Sequence, residues 1–157
     1  MRLLITAIAF TLLASFNGVL HAEETANNLS NDSSRLRSLP TIKPVPGLYV
    51  KGYGIDKKKN NEMHEGLDIQ AKNGSPVAAT APGTVKEVVG KHGSMRITVE
   101  HGNNLETSYG NLTTSNVKRG TKVLRGAKIG LAGDAPLFYQ VFVSGVPVDP
   151  LSYILDK

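Results

Sequence analysis

An all-β domain of packed antiparallel sheets is predicted over residues 45–157. Three observations predict it. Met95, Ile97 and Val99 alternate strictly with Arg96, Thr98 and Glu100, the period of a strand with one wet face. The chain holds 16 glycines, which suit many tight corners. Beyond the N-terminal segment, no stretch carries convincing apolar spacing at the helical period.

The N-terminal segment stands apart from that domain. Arg2 precedes an apolar run from Leu3 to Ala14, and polar residues follow up to His21-Ala22. A basic start, a short apolar centre and a small residue before Glu23 predict a secretory signal peptide over residues 1–22. The centre is too short to span a bilayer, so the mature chain is expected to have no membrane span and to reside in the periplasm. With no cysteine in the chain, neither a disulfide nor lipid attachment through cysteine is available. Residues 23–44 are polar and poor in large apolar side chains, which predicts a flexible tether, stiffened near its end by Pro40 and Pro44. It has no heptad pattern and hence no coiled coil, and the chain shows no internal repeat.

From Leu48 the strands are read in order. One is expected at Gly83–Val89 and the next is the alternating stretch at 95–100. Leu105, Thr107 and Tyr109 alternate with Glu106 and Ser108 in another. His101-Gly102-Asn103-Asn104 between these two is turn chemistry and predicts a hairpin. Strands at Lys122–Leu124, Lys128–Ala132 and Leu137–Val143 follow, and Gly145-Val146-Pro147 reads as a tight turn. The formal net charge is +5, one unit of which leaves with Arg2. Such a mild excess, without an arginine-rich helix or interleaved aromatics, excludes nucleic acid as the expected partner.

His64-Glu65-Gly66-Leu67-Asp68 carries the chemistry. An imidazole and a carboxylate four residues apart, with a glycine that lets backbone approach, suit either a metal or a simple hydrogen-bonded couple. The stretch from His64 through Gly74-Ser75-Pro76-Val77 resembles the opening of the LytM/lysostaphin-type zinc peptidase domain. The resemblance continues through Val99-Glu100-His101-Gly102, Tyr109-Gly110-Asn111-Leu112, Gly126-Ala127-Lys128-Ile129-Gly130 and Val148-Asp149-Pro150-Leu151.

That resemblance implies a three-ligand zinc site, made by the His and Asp of HxGxD and the second His of a later HxH. The first His of HxH and a His in Tyr-x-His-Leu assist catalysis. Here His64 and Asp68 occupy two ligand positions, Phe138 the third, and Pro136 and Asn111 the two catalytic positions. The preceding loop is cut down to Gly133-Asp134-Ala135. No metal and no other cofactor is therefore expected, with His64 and Asp68 left as relic ligand positions. Strand alternation turns Pro136, Phe138 and Gln140 to the groove, and Leu137, Tyr139, Val141 and Val143 inward. Phe138, Gln140, Tyr109, Asn111 and Pro136 are the expected partner-binding residues, and His92 and His101 are expected at the surface. Lys57, Lys58 and Lys59 form a candidate basic docking surface. Lys118, Arg119, Lys122, Arg125 and Lys128 form a second basic cluster that reads equally as a solvated face.

The resemblance implies a non-catalytic periplasmic factor that regulates peptidoglycan remodelling by binding and activating a cell-wall amidase. The alternative is a peptidoglycan-binding or scaffolding module of an envelope assembly, and a third reading is an active zinc endopeptidase. Expected partners are a cell-wall amidase or another envelope protein, with peptidoglycan itself as a further ligand.

Overall fold

The computed structural model describes residues 24, 25, 27–57 and 60–155. The expected signal peptide, Lys58 and Lys59 lie outside them. The chain divides into two compact units, Met1–Leu36 and Arg37–Lys157. In the first, the described residues are helical, where a tether was expected from the polar composition. Leu29 and Leu36 are 67% and 60% exposed, so no buried face holds this helix. Its support is local: no glycine or proline interrupts 24–38, and the Ser30 and Ser33 hydroxyls donate to carbonyls three residues back. Helix ends before Pro40, whose ring disfavours helical backbone at the residue ahead of it.

The second unit begins at Arg37, ahead of the expected start at residue 45. Backbone hydrogen bonds explain the earlier start. The carbonyl of Pro44 accepts from Ala78 N–H and that of Thr41 accepts from Leu155 N–H. Pro40 and Pro44 are buried there, and Val45 is part of the core.

Twelve strands among the described residues follow: β1 (Leu48–Lys51), β2 (Gly54–Asp56), β3 (Glu62–His64), β4 (Leu67–Gln70), β5 (Pro76–Ala78), β6 (Gly83–Val89), β7 (Met95–Glu100), β8 (Leu105–Ser115), β9 (Lys122–Val123), β10 (Lys128–Ala132), β11 (Leu137–Val143) and β12 (Val146–Val148). The main sheet runs β1-β4-β11-β8-β7-β6-β9, with β12 on β11 and with β10 joining β5 to β8. β2 and β3 form a separate ribbon. Every pairing is antiparallel. The predicted hairpin joins β7 to β8, with Asn103 and Asn104 in the left-handed region that such a turn requires. The tight turn expected at Gly145-Val146-Pro147 lies one step earlier, at Ser144-Gly145, because Val146 and Pro147 pair with β11 as β12.

Leu67, Ile69, Ile97, Leu112, Ile129, Leu137 and Val141 fill the core beneath the sheet. Val143, expected to point inward with them, is 36% exposed because β11 outruns the core at its end. Within this core lies a connected polar cluster. The Thr80 hydroxyl meets both the Tyr109 and the Tyr139 hydroxyls at 2.9 Å, and Thr80 N–H donates to Tyr109 at 2.9 Å. The Thr107 hydroxyl lies 2.9 Å from the Tyr109 hydroxyl and 2.7 Å from His101 Nε2. The other ring nitrogen, Nδ1, donates to the Pro82 carbonyl at 2.7 Å. Burial pushes both tyrosine hydroxyls above their ordinary range, so they remain neutral donors and acceptors.

His101, expected at the surface, is only 8% exposed. Gly83 and Val99 crowd it: a Cβ on Gly83 would come within 2.8 Å of its Nδ1 and 2.9 Å of the Val99 side chain. Burial lowers the His101 pKa from about 6.5, chiefly by desolvation, against an opposing hydrogen bond to Pro82; Arg125 lowers it further and Glu106 raises it. The unfolded chain therefore binds this proton more readily than the folded one. Stability is complete above pH ~6.5 and falls as the pH drops through the interval down to the folded value. Urea denaturation between pH 7.5 and 5 is expected to show this loss in the wild type and a flatter profile in His101→Gln. Equal slopes for the two proteins would exclude His101 as the source.

Candidate functional site

The site is built on three neighbouring strands by their register. Phe138 on β11 lies directly opposite Asp68 on β4 and, on its other side, opposite Gly110 on β8. His64, the last residue of β3, comes over this row because the connection to β4 passes through Gly66. A Cβ there would lie 2.5 Å from the Tyr139 carbonyl oxygen and 2.9 Å from Phe138 Cε2. Only glycine fits, as the spacing of the motif implied.

His64 Nδ1 lies 2.7 Å from the Gly52 carbonyl oxygen, which can only accept, so Nδ1 carries a proton. That leaves Nε2 facing Asp68 Oδ2 at 3.4 Å. Backing one ring nitrogen with a carbonyl and aiming the other at an acidic ligand is how a metal-binding histidine is held. The third corner does not match. The Phe138 ring stands against the imidazole with centroids 5.3 Å apart and planes at 51°. A phenyl ring offers no lone pair, and among the described residues no three His, Cys, Asp or Glu side chains come together. The residues present do not fit the zinc of an active peptidase.

The remaining predicted positions divide. Asn111 is exposed, adopts φ 61°, and donates from Nδ2 to the Pro136 carbonyl at 2.9 Å. It thus ties β8 to the start of β11 at the position where a catalytic imidazole was implied. Pro136 and Phe138 are half-buried. Gln140 shares their face but is only 6% exposed, and its amide donates to the Glu65 carbonyl at 3.3 Å. It braces the turn carrying His64 and presents little to a partner. Tyr109 corrects the expectation outright. It is fully buried on the core face, with its hydroxyl in the Thr80 cluster, because β8 alternates and Gly110 takes the groove face. Its own alternation with Ser108 was the available signal.

Among the histidines, His92 is exposed in a turn as expected. Lys57 is exposed in the turn after β2. In the second basic cluster, Arg125 donates to the carbonyls of Arg37 and Leu39 at 2.7 and 3.1 Å, a structural use, whereas Lys118, Arg119, Lys122 and Lys128 are exposed.

Sequence reasoning missed Arg96. It sits on β7 beside the register shift between Met95 and Ile97, which turns it over Gly110. Its Nε lies 3.9 Å from where a Gly110 Cβ would be, and Phe138 Cβ lies 3.5 Å from the same point. The wet side of the alternating strand was the signal, and only the sheet order places it beside Phe138.

The family described as Peptidase family M23 matches residues 62–150, more than half of the chain. An uncharacterized metalloprotease of Haemophilus influenzae is 34% identical over 97 residues, covering 57% of this chain and 20% of that protein. The peptidoglycan DD-endopeptidase ShyA of Vibrio cholerae is 33% identical over 95 residues, covering 56% and 22%. The chain thus matches about a fifth of the length of these relatives. The catalytic domain of the antimicrobial peptidase lysostaphin from Staphylococcus simulans superposes with a TM-score of 0.59 at 28% identity, covering 68% of this chain and 91% of that one.

Proposed function

This chain belongs to peptidase family M23, and we propose that it is a non-catalytic factor of peptidoglycan remodelling that binds and activates a cell-wall amidase. One observation carries the reading: the position opposite Asp68, where a zinc ligand would stand, holds the Phe138 ring packed against His64. Loss of a ligand and of both proton-handling imidazoles removes the water-activating chemistry that a zinc peptidase needs. What persists is a sheet face with an aromatic side chain at its centre, which suits gripping a ligand. Kinship with relatives named as metalloprotease and peptidoglycan endopeptidase supports the wall as the setting. The apolar start of the sequence supports export to the periplasm, and no helix among the described residues is long and apolar enough to cross a membrane. The loop bearing Lys57, Lys58 and Lys59 supplies charge for steering an acidic partner, an effect on association rate more than on affinity.

The test is wall hydrolysis by this protein alone, by candidate amidases alone, and by mixtures. The protein alone is expected to release no wall fragments, and one mixture to exceed its amidase severalfold. Release of peptide fragments by the protein alone would overturn the non-catalytic reading. Mixtures that never exceed the amidases would overturn the activating one.

A further inference from the structure

We propose that His101, Thr107, Tyr109, Thr80 and Tyr139 form a one-way hydrogen-bond relay that makes the strand carrying Phe138 respond to acid. A proton taken up by His101 turns every hydroxyl of the relay around and leaves the last one, on Tyr139, without an acceptor. The device belongs to the fold of the domain and holds whatever partner the domain binds.

The direction follows from one fixed acceptor. The Pro82 carbonyl can only accept, so His101 Nδ1 holds the proton of the neutral ring and Nε2 accepts. The Thr107 hydroxyl, 2.7 Å from Nε2, therefore donates to it. A hydroxyl has one proton to give, so at the 2.9 Å contact between Thr107 and Tyr109 the donor is Tyr109. With the Tyr109 proton used, Thr80 donates at its own 2.9 Å contact with Tyr109. The Thr80 proton is then used in turn, and Tyr139 donates to Thr80 at 2.9 Å. All four hydroxyls point toward His101, and each has an acceptor.

Thr80, Thr107, Tyr109 and Tyr139 are fully buried and His101 is 8% exposed, so the histidine is where solvent reaches the relay. A proton arriving there takes the Nε2 lone pair and makes Nε2 a donor. Each hydroxyl keeps its own proton and turns, Thr107 toward Tyr109, Tyr109 toward Thr80 and Thr80 toward Tyr139. Among the described residues Tyr139 bonds Thr80 alone, so its proton is left unpaired in a fully buried place, an arrangement that folded proteins avoid. Tyr139 lies opposite Leu67 and beside Phe138, and its carbonyl oxygen would be 2.5 Å from a Cβ on Gly66. The defect is thus delivered to the strand and turn that set Phe138 against His64. Around the His101 ring, desolvation opposes the charge, the Pro82 bond favours it, Arg125 after β9 opposes it and Glu106 on β8 favours it. The reversal therefore takes place below the ordinary histidine value of 6.5.

The experiment is an NMR-detected acid titration of the full chain carrying carbon-13 at tyrosine Cζ, a position that senses the hydrogen bonding of the phenol. In the wild type the Tyr109 and Tyr139 signals are expected to shift with the midpoint of the His101 ring, and the Phe138 amide signal to move with them. His101→Gln should hold both tyrosine signals still, which separates this relay from titration of His64. Thr107→Val should leave His101 titrating and both tyrosines silent, whereas Thr107→Ser, which keeps the hydroxyl, should restore their response. Thr80→Val cuts the relay later, so Tyr109 should still follow His101 and Tyr139 should not. The wild-type titration is decisive by itself if these variants do not fold. A Tyr139 signal that ignores His101, or global unfolding before Tyr139 responds, would overturn the proposal. So would a Tyr139 shift that persists in His101→Gln, or in folded Thr107→Val or Thr80→Val.

Discussion

Phe138→His is expected to yield a protein that retains zinc through dialysis, where the wild type does not, and that still fails to cleave wall peptides. Position 138 faces Asp68 across the β4–β11 pair, beside an imidazole already held by the Gly52 carbonyl. A histidine there completes a three-ligand set of the kind a catalytic zinc uses, and completing the set changes metal affinity strongly. Catalysis asks for more. Pro136 has no side chain to move a proton, and the Asn111 amide is committed to the Pro136 carbonyl. General acid–base assistance is typically worth about 10²–10⁴ in rate, roughly 3–5 kcal/mol of barrier. Elemental analysis gives the first readout and cleavage of purified wall peptides the second. Robust cleavage by the single variant would show that the two lost imidazoles do not limit this site. Adding Asn111→His is compatible with the backbone, since φ 61° is a conformation that histidine tolerates better than most residues.

How far the sequence could be read follows from which forces are local. Strand positions followed from period-two alternation, and the bounds of β6, β10 and β11 emerge as expected because each ends at a glycine, a proline or a change of pattern. The relic pair His64 and Asp68 was legible because both ligands and the glycine between them sit within five residues of chain. Facing relations between distant strands were not. Tyr109 reads as a groove residue when its neighbours Gly110 and Asn111 do, and only alternation along β8 sends it to the core. Arg96 sits 14 residues from Gly110 in sequence, and a register shift in β7 decides that it covers that glycine. The helix at 27–38 was invisible for a different reason. It has no buried stripe, so no periodicity announces it. His101 looked like a turn residue, but the carbonyl of Pro82, 19 residues away, and Thr107 enclose its ring.

That enclosed cluster leads to the largest expected loss of stability from removing a single oxygen. Tyr109→Phe is expected to destabilise the domain by about 3 kcal/mol, several times the cost of Tyr139→Phe. The two tyrosines look alike: both are fully buried and their rings pack 5.4 Å apart. Their hydroxyls differ in what depends on them. The Tyr109 oxygen accepts from Thr80 N–H and bonds both the Thr107 and the Thr80 hydroxyls, so its removal strands a backbone donor and leaves two threonines short of a partner. Each buried polar group left unpaired costs roughly 1–3 kcal/mol. Among the described residues the Tyr139 oxygen bonds Thr80 alone, and Thr80 keeps Tyr109 as a partner when Tyr139 loses its hydroxyl. That change should cost about 1 kcal/mol. Chemical denaturation of both variants at pH 7.5, where His101 is neutral in the folded and unfolded chain, isolates the hydroxyl effect. Equal losses would mean that the cluster does not converge on Tyr109. The double variant decides whether the members act as a unit. Groups sharing Thr80 should be non-additive, and a sum of the two single losses within about 0.3 kcal/mol would instead mark them as independent.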